Sequence, residues 1–157
     1  MITLVEMAGS CGHSIDEQVF RFLLDLELEK ALRLQYCVAV VCFKPDLPRD
    51  EVDSQFSRRI AEAAVRQLRG TDVATTLPQS TVGLLLIDAD SRAVRHILDR
   101  TVEAVQTQAK PGERLSLSAG ASCYPETVSS GKDLLGLATD LMVRARAEGG
   151  DRLYLSP

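Results

Sequence analysis

Arg69-Gly70-Thr71-Asp72-Val73-Ala74-Thr75-Thr76-Leu77-Pro78-Gln79-Ser80-Thr81-Val82-Gly83-Leu84-Leu85-Leu86-Ile87 is the stretch on which the fold turns. Asp72 to Leu77 and Val82 to Ile87 are short runs rich in apolar and β-branched residues, and Pro78-Gln79-Ser80 supplies a turn between them. That is the pattern of a β-hairpin. An Arg-x-x-Asp pair, Arg69 and Asp72, stands at its entrance.

Upstream, Asp50 to Arg69 has a helical stripe of Val52, Phe56, Ile60, Ala63, Ala64 and Leu68, with Arg58, Arg59, Glu62 and Arg66 turned to water. Before it, Cys37-Val38-Ala39-Val40-Val41-Cys42-Phe43 is continuously apolar, as a strand covered on both faces must be, and Pro45 and Pro48 end it. It is expected at the centre of the sheet. Ile15 to Leu34 repeats apolar residues at helical spacing, through Val19, Phe22, Leu23, Leu26, Ala31 and Leu34, with Ser14 as the N-cap.

Downstream, Ser91 to Gln108 is a helix through Val94, Ile97, Leu98, Val102 and Val105, closed by Lys110-Pro111-Gly112. Leu115 to Cys123 alternates like a strand, Asp133 to Ala147 is a last helix, and Leu153-Tyr154-Leu155 is a short final strand. A hairpin between two helix-plus-strand units predicts an α/β sandwich, with helices covering one central, mostly antiparallel sheet. Residues 1–14 read as an extension or linker and 15–157 as one domain.

Composition narrows the function. The chain has 157 residues, 45% hydrophobic and 25% charged, enough for one core. Its net charge of −4 and pI of about 5.2 disfavour a polyanionic partner, so no nucleic-acid polymer is expected. Cys11, Cys37, Cys42 and Cys123 form no Cys-x-x-Cys, and His13 and His96 are remote from most of them, so reduced, buried or half-buried thiols are expected rather than a metal cluster. No apolar run approaches the ~20 residues of a membrane span, and the N-terminus lacks signal-peptide features. A cytoplasmic protein is expected.

Two strings carry a resemblance. Leu115-Ser116-Leu117-Ser118-Ala119-Gly120-Ala121-Ser122-Cys123-Tyr124-Pro125 and Ala138-Thr139-Asp140 through Arg152 resemble the strand-turn and last-helix signatures of the GGDEF domain of diguanylate cyclases, which make cyclic di-GMP from two GTP molecules. The likeness runs from about Val19 to Leu153 and implies the palm-like nucleotidyl-cyclase fold. In that register Pro78-Gln79-Ser80-Thr81-Val82 occupy the five signature positions, where the family has glycines for close approach to substrate and acids for metal and catalysis. The first strand continues as Lys44-Pro45, with Asp46 the nearest carboxylate, and the guanine-contacting segment has no counterpart. Arg146 stands at the phosphate-contacting lysine position.

The resemblance therefore implies a chain with no catalytic residues, no bound Mg²⁺ and no cofactor. It also implies an allosteric cyclic di-GMP site at Arg69 and Asp72, completed by Arg100. A guanidinium stacks on guanine or forks onto its Hoogsteen edge and phosphate, while a carboxylate accepts from guanine N1 and N2. A homodimer or a partner signalling protein is expected as the output. The plainer alternative pairs Arg69 with Asp72 or the helix end, and Arg100 with Asp99 or Glu103. On that reading the domain is a nucleotide-independent interaction or dimerisation module.

Overall fold

The computed structural model describes residues 12–48, 52, 54–126 and 133–156. Their order is β1 (His13–Ser14), α1 (Glu17–Leu34), β2 (Val38–Pro45), α2 (Ser54–Val65), β3 (Val73–Leu77), β4 (Thr81–Ile87), α3 (Ser91–Gln106), β5 (Leu117–Tyr124), α4 (Leu134–Ala147) and β6 (Arg152–Leu155). One six-stranded sheet runs β1-β3-β4-β2-β5-β6. The four inner strands pair antiparallel, and the two short outer strands join in parallel. The expected mostly antiparallel sheet is present, with β2 at its centre.

Strand alternation explains the two layers. Ala39, Val41 and Phe43 of β2 point into one core with Ile60 and Ala64 of α2 and Val94 and Leu98 of α3. Val38, Val40 and Cys42 point into the other, with Phe20 and Leu24 of α1 and Leu134, Ala138 and Met142 of α4. The apolar run Val38 to Phe43 of β2 is thus consumed on both faces. The stripe expected for α2 is largely the one observed, with Phe56 half-buried at its edge.

Four expectations needed correction. The inward face of α1 is Phe20, Leu24 and Ala31, while Val19, Phe22, Leu26 and Leu34 are 45%, 65%, 39% and 69% exposed. The helix carries apolar residues on two sides, and packing against the sheet selects one. Ser14 is a strand residue opposite Ala74, not the N-cap, which is Asp16. Thus His13 and Ser14, assigned to an extension, belong to the sheet. The helix expected to reach Arg69 stops at Val65, leaving 66–72 as a structured turn. The start expected for it at Asp50 lies outside the described residues. None of the helices among the described residues is long and apolar enough to cross a membrane.

Candidate functional site

Past the end of α2 the chain turns through Gln67 and Leu68, whose amides donate to Ala64 and Val65 carbonyls. Asp72 closes this turn. Its amide donates to the Arg69 carbonyl at 2.9 Å, and its carboxylate Oδ2 accepts from the Arg69 amide at 3.1 Å. Oδ1 accepts from the Ile87 amide at 2.9 Å, tying the turn to the end of β4. The carboxylate has no exposed surface. Both oxygens serve backbone donors, a buried charge satisfied as it must be.

Arg69 lies beside it, with Nε 3.6 Å from Asp72 Oδ2 and its side chain 54% exposed. Its guanidinium also donates to the Ile87 carbonyl. Arg100 reaches across from α3 and donates to the Gln67 carbonyl, two residues before Arg69. The structure therefore brings Arg69 and Arg100 to one turn. Asp72, expected to face a guanine, is instead turned inward. Part of the plainer reading also holds, since Arg69 does pair with Asp72, whereas the expected Asp99 or Glu103 partner of Arg100 is replaced by a backbone carbonyl. Sequence reading missed Ile87 and Gln67 as partners, because a backbone acceptor leaves no signature in residue type.

The opposite end of β2 carries the other half of the resemblance. Lys44, Pro45, Leu47, Gln79, Ser80 and Arg146 border a cavity of about 380 Å³. Arg146 donates to the carbonyls of Pro45 at 3.2 Å and Leu47 at 2.8 Å, which fixes its guanidinium while leaving three of five N–H donors for other acceptors. Lys44 was not anticipated there; alternation along β2, placing it on the α4 side with Cys42, was the available signal. Asp46 is turned away, accepting from Ser116 Oγ at 2.7 Å, from Ser118 Oγ and from the Asp151 amide at 2.9 Å. Among the described residues no group of three His, Cys, Asp or Glu side chains is placed to hold a metal ion.

The thiols follow expectation where described. Cys37 is half-buried, Cys42 and Cys123 are buried, and none of the three is in a disulfide; Cys11 lies outside the described residues. Burial pushes the Cys42 thiol up to about 11 and the Cys123 thiol to about 12. Both are inert, protonated core groups.

No family model matches the sequence, and no curated protein does. Solved structures do match. The GGDEF domain of YfiN (TpbB) from Pseudomonas aeruginosa is similar at 23% identity and a TM-score of 0.76, over 91% of this chain and 96% of that one. The coiled coil and GGDEF domain of DgcB from Caulobacter crescentus, solved in complex with cyclic di-GMP, is similar at 13% identity and a TM-score of 0.75, over 90% of this chain and 81% of that one. The diguanylate cyclase SiaD of Pseudomonas aeruginosa, solved with its activator SiaC, is similar at 17% identity and a TM-score of 0.78, over 96% of this chain and 60% of that one. The chain has the GGDEF fold.

Proposed function

We propose that this GGDEF-fold chain is a catalytically silent receptor for cyclic di-GMP, which it binds through Arg69 and Arg100. The observation that carries this reading is that Arg100 of α3 donates to the Gln67 carbonyl of the same turn that bears Arg69. Asp72 acts there as a positioning residue, because its carboxylate orders the backbone from which Arg69 projects. Two guanidiniums on an exposed turn suit a ligand with two phosphodiesters and two guanines. Loss of cyclase activity rests on Pro78, Gln79 and Ser80 at the hairpin tip and on the diversion of Asp46 to the β5–β6 end.

Isothermal titration with cyclic di-GMP tests the proposal. Saturable heat is expected with the wild-type chain, with binding about tenfold weaker in Arg69→Ala and in Arg100→Ala, the size of one charge-assisted contact. Incubation with GTP and Mg²⁺ or Mn²⁺ is expected to give no cyclic di-GMP. No heat with the wild-type chain would sink the receptor reading.

A second reading is favoured by one surface feature. Val19, Phe22 and Leu26 form an outward apolar stripe on α1 at 45%, 65% and 39% exposure, a feature of protein-binding helices. A melting temperature unmoved by excess cyclic di-GMP or GTP favours a nucleotide-independent interaction module, because a ligand of the native state raises stability by mass action.

A further inference from the structure

We propose that the cavity between α2 and the α3–β5 connection is a second ligand site, one that takes a small amphipathic anion: a carboxylate on a ring-sized apolar body. The cavity measures about 200 Å³. Apolar cavities of about 150 Å³ accept benzene, so the space suits one ring and a substituent. Its apolar surface is supplied by Leu47, Phe56 and Leu115, and its rim by Arg59, Lys110 and Arg114. Glu113 is the one carboxylate among the described residues lining it, so cations outnumber acids three to one.

The walls are held in place before any ligand arrives. The Gln106 side chain clamps the connection at two points, donating to the Glu113 carbonyl at 3.0 Å and accepting from the Leu115 amide at 3.0 Å. The Glu113 amide closes a turn onto the Lys110 carbonyl at 3.0 Å. On the far side, the Leu47 carbonyl is anchored by Arg146. Arg59 packs over the Phe56 ring, 5.6 Å from its centroid, so its guanidinium is held next to the apolar surface. Arg114 is shared with Asp151 at 3.1 Å, leaving Arg59 and Lys110 as the principal anion contacts. Preformed walls reduce the ordering cost of binding, and a few convergent polar groups around an apolar floor are what a small-molecule pocket requires.

Amide-resolved NMR titration of the full chain with benzoate, alongside neutral benzamide and the straight-chain anion octanoate, tests the assignment. Benzoate is expected to shift the amides of Phe56, Ala109 and Leu115, with weaker binding by both other probes. Arg59→Ala and Lys110→Ala should each bind benzoate about fivefold more weakly, the upper range for one exposed charge contact. Ala109→Phe, which fills the space, should abolish the shifts while retaining a dispersed spectrum. Equal binding of benzamide overturns the anion assignment, and equal or tighter binding of octanoate overturns the ring-sized body. Absence of benzoate shifts, or shifts that survive in Ala109→Phe, overturns the site. Cyclic di-GMP plays no part in the experiment, so its result is independent of the receptor reading.

Discussion

At the scale of single residues, Asp72 shows how one carboxylate can look like a ligand contact and serve as a frame. Its two oxygens accept from the Arg69 and Ile87 amides with no exposed surface. Truncation leaves two backbone donors without their charged acceptor, and each orphaned group costs about 1–3 kcal/mol. Asp72→Ala should therefore destabilise the chain by about 3 kcal/mol, seen as a lowered urea midpoint with or without nucleotide. Arg69→Ala removes only a half-exposed side chain and should stay within about 1 kcal/mol of wild type. Loss of binding in the aspartate variant would thus report on folding; the arginine variants report on the ligand. The spacing of Arg69 and Asp72 was legible in the sequence, and Arg100 was named through the resemblance alone. The inward turn of the carboxylate was not, because its second partner is a backbone amide 15 residues away.

Single elements show the same division. The β3–β4 hairpin was readable from its two apolar runs and its turn, and Leu77 pairs with Thr81 across Pro78-Gln79-Ser80. The turn puts two non-glycine residues in the left-handed region, Gln79 at φ 61° and Ser80 at φ 59°. Such positions cost about 1 kcal/mol for residues with a Cβ, and they fall where the resemblance places signature residues. Gln79→Gly should raise stability by about 1 kcal/mol, measured as an upward shift in the urea midpoint with an unchanged slope. An unchanged or lowered midpoint would show that Gln79 relaxes elsewhere. Helix α1 was also legible in position but not in orientation. Phe20 and Leu24 line one side and Val19, Phe22 and Leu26 another, so periodicity alone admits either face.

For the whole molecule, the decisive contact is between layers. At Gly120 of β5 a Cβ would collide with the Ala138 carbonyl oxygen and the Met142 amide nitrogen, both backbone atoms of α4. Helix and strand touch there with no side chain between them, so the position admits only glycine. Gly120→Ala should cost about 3 kcal/mol by forcing α4 off the sheet, read as a lower melting temperature. The glycine was visible in the sequence as part of the strand signature, but the helix it accommodates was not. Local pattern suffices for the order of the four helices and of strands β2 to β6, the central place of β2 and the hairpin, because hydrophobic period and turn chemistry are encoded within a dozen neighbouring residues. Tertiary packing alone decides which side of α1 is buried, where α2 stops, that Asp72 turns inward, and that Asp46 is held by Ser116, Ser118 and Asp151. Each of those outcomes depends on partners that become neighbours only when the sheet closes between its two helical layers.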